Sequence, residues 1–142
     1  MRFGSGNAAL DIHHLDEMHF IYAFFFENGD DIYVKVGESV KPYMRLEAIV
    51  SGSPFRVSQA VFCHAGGKSV ARKFEALVKK ALSSFRTRGE WYAFKKEDSA
   101  TFRAGMAASF AKATGRTLKW TRIDMAEFRA KSCRNGLRYI PR

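Results

Sequence analysis

The sequence predicts an α+β fold: a small three-stranded antiparallel sheet flanked by helices, followed by a basic, mainly helical C-terminal extension. Three observations predict it. Two apolar runs, residues 20–26 and 32–37, flank the tight-turn dipeptide Asn28-Gly29 and read as an antiparallel hairpin. Apolar residues then recur at helical spacing over residues 69–85. Finally, charge is uneven: residues 101–142 hold 10 Lys/Arg against 2 Asp/Glu, while residues 1–100 hold 14 against 12.

The elements follow in order. Residues 1–19 contain Gly, Asn and His with an acidic lean and form an N-terminal arm. The continuous apolar run of residues 20–26 implies a strand buried on both faces. Ser39 is placed to cap a helix through Val50, with Pro42 in its first turn, and Ser51-Gly52-Ser53-Pro54 ends it. Residues 55–64 read as a third strand. Over residues 69–85, Val70, Phe74, Leu77, Val78, Ala81 and Phe85 share one helical face. Glu90-Trp91-Tyr92 reads as a short packed segment. A helix starts at Asp98 or Ser99 and runs to Thr114, where Gly115 stops it. Residues 117–122 read as a strand and residues 125–133 as a short helix. The divisions are an arm at 1–19, a core at 20–96 and an extension packed on it at 97–142.

Composition narrows the function classes. A basic segment behind a nearly balanced body is the electrostatic footprint of a polyanion binder. No apolar run approaches the roughly 20 residues that a bilayer span needs. No signal peptide is evident at the start. Cys63 and Cys133 are too few for a disulfide framework, so a reducing cytoplasm is the expected setting. DNA is the expected partner, with strand state and oligomeric state open, and no membrane.

Four residues make chemical sense together. Hydrolysing a phosphodiester requires a base for the attacking water, positive charge for the phosphate and stabilisation of the leaving oxygen. Tyr22 can act as the base if nearby cations lower its pKa, and Lys35 can supply that field. Arg45 can grip a phosphate with its planar fork. Glu75 is a hard oxygen ligand suited to Mg²⁺ or Mn²⁺. Tyr22 and Lys35 fall on paired strands and can share a sheet face. Glu75 lies roughly 105° from the centre of its helix's apolar face, at the margin of core and solvent.

The ordered set Ile21-Tyr22, Val34-Lys35-Val36-Gly37-Glu38-Ser39, Arg45, Glu75 and Gly89-Glu90-Trp91 resembles a GIY-YIG nuclease. It is most similar to the phage and bacterial branch with a Lys-Ile-Gly-type second motif, over residues 20–92. The resemblance implies a three-stranded antiparallel sheet flanked by helices and a DNA endonuclease using one divalent ion, Mg²⁺ or Mn²⁺. It implies Tyr22 as general base, Arg45 on the phosphate and Glu75 on the metal. The chain departs from the pattern at several positions. Phe20 replaces the first glycine and Lys35 the second tyrosine. Ile49, Lys79 and Glu90 stand where helper residues occur. The alternative function is therefore a catalytically degenerate nucleic-acid-binding protein on the same scaffold, which does not cleave.

Each residue also has a plainer explanation. Tyr22 fits a core position in an aromatic strand. Glu75 with Lys79 is the i,i+4 pair of an ordinary exposed helix. Gly66-Gly67-Lys68-Ser69 imitates a P-loop, but Phe62 stands where its first glycine belongs. Cys63-His64 with His13, His14 or His19 lacks paired zinc-ligand spacing. The expected nucleic-acid contacts are Lys41, Lys68, Arg72, Lys73, Lys79, Arg86, Arg88, Arg129, Lys131, Arg134 and Arg138.

Overall fold

A computed structural model describes residues 19–134, with side chains through residue 130. All of the arm expected at 1–19 except His19, which begins the first strand, therefore lies outside the described residues, as do Arg138 and the side chains of Lys131, Cys133 and Arg134.

The expected three-stranded sheet is corrected: the described residues form a six-stranded antiparallel sheet with four α-helices. The strands are β1 (His19–Asn28), β2 (Asp31–Ser39), β3 (Arg56–Gly66), β4 (Arg86–Arg88), β5 (Trp91–Lys95) and β6 (Thr121–Arg122). Their order is β4-β5-β2-β1-β3-β6. The helices are α1 (Pro42–Ser51), α2 (Lys68–Ala81), α3 (Ser99–Thr114) and α4 (Met125–Arg134). The three long strands occupy the centre. The strands not expected from the sequence are β4 and β5, which extend the sheet beyond β2. All three residues of β4 are exposed, so it carries no alternation to read. β5 is the segment expected only as a short packed stretch at Glu90-Trp91-Tyr92, and its five residues pair with β2.

β1 explains the arrangement. Residues 21 to 26 are all buried, none above 4 % exposed. An antiparallel strand reads as a continuous apolar run only when both faces are covered. Ile21, Ala23 and Phe25 lie in one core with Val34, Val36 and Tyr92. α2 and α3 close that side with Phe74, Val78, Phe102, Met106 and Phe110. Tyr22, Phe24 and Phe26 lie in the second core with Leu46 of α1, Val57 and Ala60 of β3, Ile123 just before α4 and Phe128 on it. The sheet is thus a middle layer between two helical ones. Phe102 anchors α3 by stacking on Phe94 at 4.6 Å and meeting Tyr92 edge-on at 5.6 Å.

Local chemistry sets the boundaries. Asn28 and Asp31 pair directly, so the hairpin loop is Gly29-Asp30, one residue later than expected, with Gly29 at φ 65°. α1 starts at Pro42, not Ser39; the Ser39 hydroxyl accepts from the Lys41 amide at 3.0 Å, making a turn before the helix. Proline then opens the helix, where its missing N–H costs nothing. α2 stops at Ala81, and a separate 3₁₀ turn, Ser83–Phe85, carries Phe85. α3 ends where Gly115 adopts the left-handed conformation, φ 74°. β6 covers only the last two residues of the strand expected over 117–122.

Candidate functional site

The site forms at the end of the sheet where β1 enters, β2 leaves and β5 begins. Tyr22 is opposite Gly37 in the β1–β2 ladder. Phe24 is opposite Lys35, and the Tyr22 ring stacks on Phe24 at 4.3 Å. Tyr22 and Lys35 therefore share the sheet face that α1 covers. Arg45, exposed on α1, donates from Nε to the Tyr22 hydroxyl at 3.2 Å. Glu75 comes from the other helical layer. Glu90 precedes β5 and bridges the two sides.

Gly37 makes this convergence possible. A Cβ there would overlap the Tyr22 hydroxyl and sit 2.7 Å from its Cζ and 3.1 Å from Glu90 Oε1. The space that a side chain would fill is taken by the phenol and the carboxylate. The turn that carries Glu90 is braced by Arg86, whose Nε donates to the Gly89 carbonyl at 2.8 Å. The Val36 amide also donates to the Glu90 carbonyl at 3.0 Å.

Lys35 behaves differently from its expected role. Its Nζ meets Glu90 Oε1 at 3.2 Å and lies 5.7 Å from the centre of the Trp91 ring. It neutralises Glu90 rather than acting on the phenol. Burial pushes the Tyr22 pKa up, and the Arg45 hydrogen bond and charge only partly oppose it. Glu90 and Glu75 push it further up. The same hydrogen bond, with the neighbouring acids, holds Arg45 firmly charged.

Glu75 is the most perturbed acid of the cluster. Its pKa is raised to about 7, first by burial, then by the charge of Glu90 and a hydrogen bond with it, and then by Glu38. Lys79 one turn away acts in the opposite direction and loses. Glu75 Oε2 is buried without a hydrogen-bond partner. A surface i,i+4 pair would leave the carboxylate wet and its pKa low, so the plain-helix explanation fails here. Tyr92 is also affected: burial, offset by Arg86 and reinforced by Glu75 and Glu90, pushes its pKa up to about 12.

Sequence reasoning missed one pair at this end. His19 Nδ1 lies 2.6 Å from Glu38 Oε2, with both side chains largely covered. The two are 19 residues apart and meet only because β1 and β2 pair. Glu38 falls inside the second motif and His19 enters only as a candidate zinc ligand; nothing in their spacing joins the two. Cys63 and His64 join no metal-holding group: among the described residues, no group of three or more His, Cys, Asp or Glu is placed to hold a metal ion by itself.

The expected nucleic-acid contacts divide by place. Lys41 is exposed just before α1, close in sequence to Arg45. Lys68, Arg72 and Lys73 are exposed on α2, while Lys79 is half-buried beside Glu75. Arg86 and Arg88 are exposed on the edge strand β4. Arg129 is half-buried on α4.

Two expected outcomes test this geometry. Glu75 binds its proton more tightly in the folded chain, so its contribution to stability is present below about pH 4.5 and lost as pH rises towards 7. Glu75→Gln cannot ionise. Its melting temperature should match the wild type at low pH and exceed it increasingly up to neutral pH. A constant difference across that range would show that Glu75 ionises normally. Separately, Gly37→Ala should force out the fully buried Tyr22 ring at a cost of about 1–3 kcal/mol, read from urea midpoints. An unchanged midpoint would show that the close approach is not a constraint.

With the geometry described, comparison with known proteins adds one finding. The model of the T5orf172 domain family matches residues 19–106. No curated protein and no solved structure matches the chain. The resemblance to GIY-YIG nucleases is corrected accordingly: the family that matches is T5orf172, and the motif set does not assign the chain to GIY-YIG. The matching family is, in broad terms, one of nuclease or DNA-binding domains. The match spans 88 of 142 residues and takes in β1 to β5, α1, α2 and the first half of α3, so the chain belongs to the T5orf172 domain family.

Proposed function

We propose that the chain is a metal-dependent DNA endonuclease that hydrolyses phosphodiester bonds at the Tyr22, Arg45 and Glu75 cluster. One observation carries this reading. Glu75 presents a buried carboxylate oxygen with no partner, facing a second carboxylate, beside a tyrosine–arginine pair. A buried acidic pair with an unsatisfied oxygen is expensive unless a proton or a cation relieves it.

The residues fit a hard divalent ion, Mg²⁺ or Mn²⁺. Glu75 would hold it, with Glu90 nearby. Mg²⁺ is commonly bound by one or two carboxylates together with water and phosphate oxygens, so a larger protein cage is not required. Bound there, the ion would offset charge on the phosphate and on the leaving oxygen.

The chain's own groups divide the remaining work. Arg45 spends its Nε on Tyr22, leaving both terminal nitrogens of the fork to face a phosphate. Tyr22 is the general base. It must lose its proton first, which burial opposes and the Arg45 guanidinium favours. Lys35 orders Glu90 and balances its charge. The exposed cations on α2 and β4 and before α1 supply attraction to the polyanion.

The test is direct. Purified protein is incubated with labelled single- and double-stranded DNA, with Mg²⁺, Mn²⁺ or chelator. Cleavage is expected only with a divalent ion. Tyr22→Phe and Glu75→Gln should each slow it by roughly 10²-fold or more, and Arg45→Lys should slow it despite keeping its charge. In the absence of DNA, Mg²⁺ at about ten times its dissociation constant should raise the melting temperature by on the order of 4 °C, and Glu75→Gln should abolish that shift. DNA that is bound but intact under every metal condition would favour the non-cleaving reading. Full cleavage by Glu75→Gln would reject this metal assignment.

A further inference from the structure

The opposite end of the sheet holds a second charged cleft, remote from Tyr22. Its wall residue Glu27 is five residues along β1 from Tyr22, about 17 Å at ~3.4 Å each, while Phe25 is three residues along, about 10 Å, and on the opposite face of the sheet. Two adjoining hollows of about 590 and 310 Å³ open there, and both are walled by Glu27, Ser58 and Gln59. β3 is irregular at this point. Phe25 pairs with Gln59 and Phe26 with Val57, so Ser58 is the extra residue of a bulge. Its hydroxyl donates to the Phe25 carbonyl at 3.2 Å. Bulges re-aim side chains and commonly border binding sites.

Two arginines enter this cleft from different elements. Arg103 of α3 lines the smaller hollow and donates from Nη2 to Gln59 Oε1 at 2.8 Å. Its guanidinium lies over the Phe25 ring, 4.4 Å from the centre. Arg122 of β6 lines the larger hollow. It is held there by the pairing of Arg122 with Val61 and by the Ile123 amide donating to the Ala60 carbonyl at 2.8 Å.

The acids of the cleft are committed elsewhere. Glu27 meets Lys96 at 3.5 Å. Asp124 Oδ1 accepts from the Glu127 amide at 3.0 Å and so caps α4. Among the described residues, no carboxylate pairs with Arg103 or Arg122. Burial, and then the like charge of Arg122, lower the Arg103 pKa. The two guanidiniums thus share a cleft in which neither has an ion-pair partner of its own, an arrangement that an anion would relieve. Planar forks on rigid elements suit phosphate oxygens.

We propose that Arg103 and Arg122 form a phosphate clamp that holds the DNA backbone away from the cleavage site. Resting on the nuclease reading, the clamp engages the backbone at least three nucleotide steps along, since Arg103 lies over Phe25, about 10 Å along β1 from Tyr22 at ~3.4 Å per step, and on the other face of the sheet. The two hollows adjoin and are open, which suits a continuous strand better than a compact small molecule. The chain's net charge of +10 favours the same ligand.

The experiment measures fluorescence anisotropy of the full chain in chelator, so that binding is read without cleavage. The probes are a labelled 30-base-pair duplex and a labelled 4-base-pair hairpin, too short to span both sites. Arg103→Gln/Arg122→Gln should weaken binding of the long duplex about tenfold or more. The slope of log K against log salt should flatten by about 1.8, or ~0.9 per phosphate contact on duplex DNA. Binding of the short hairpin should change little. Arg122→Gln alone, at an exposed position that carries no core packing, should flatten the slope by about 0.9. Unchanged affinity and slope for the long duplex would overturn the clamp. So would equal weakening on both probes, or a rise in wild-type melting temperature with inorganic phosphate that the double variant loses while its duplex binding stays intact. Failure of the wild type to cut DNA would count against the nuclease reading alone, since the clamp is read by binding.

Discussion

The structure of the candidate site depends on a missing side chain. Gly37 is opposite Tyr22, and the volume that a Cβ would occupy holds the Tyr22 hydroxyl and a Glu90 carboxylate oxygen. That close approach lets a fully buried aromatic ring place its polar tip at the sheet's end. There it meets Arg45 from one helical layer and the field of Glu75 from the other. A tyrosine in this position has two tasks at once. Its ring belongs to the core with Phe24 and Leu46, and its hydroxyl belongs to the site. The core and functional explanations of Tyr22 are therefore not alternatives.

Burial of β1 on both faces has a second consequence. Because helices cover both sides of the sheet, residues from different layers can meet only where the sheet ends. One end collects Tyr22, Arg45, Glu75 and Glu90. The other collects Gln59, Arg103 and Arg122 around the Ser58 bulge. At one, the acids around Glu75 crowd one another; at the other, Arg103 and Arg122 share a cleft with Glu27 and Asp124 but ion-pair with neither. The rigid strand between them fixes their separation.

Much of the centre was legible in the sequence because its pattern is strong. The apolar run of β1, the turn glycine after Asn28 and the helical face of α2 each have a short-range signal. Tyr22, Lys35, Arg45 and Glu75 could be picked out because they recur at ordered positions, and the structure brings them to one end of the sheet. The β4 edge was illegible for a physical reason. Arg86 to Arg88 form a strand only because β5 offers hydrogen bonds, and their own residues are polar and exposed, whereas the strand expected over 117–122 is present but shortened to Thr121-Arg122. The start of α1 was misplaced because Ser39 makes a turn with Lys41 rather than a helix cap. The role of Lys35 was misread because its partner, Glu90, lies 55 residues away in sequence and across a strand pair. His19 with Glu38 was invisible for the same reason.

Charge links the two ligands that the proposed reading requires. DNA carries one negative charge per phosphate and is drawn to a chain of net charge +10. Yet Glu38, Glu75 and Glu90 gather where the scissile phosphate would lie, and together they repel it. Lys35 offsets Glu90, and His19 is hydrogen-bonded to Glu38. Glu75 has only Lys79 acting in its favour, and that charge does not hold its pKa down. A proton relieves the repulsion near neutral pH but removes the ligand charge. A divalent ion relieves it and keeps the ligand. Metal and phosphate must then each strengthen the binding of the other, because either one alone faces an uncompensated like charge. Distal cations such as Arg103 and Arg122 lie outside this conflict. In the proposed clamp, their attraction for the backbone would not depend on which species neutralises Glu75, so the chain would hold DNA before its acidic end is ready to act.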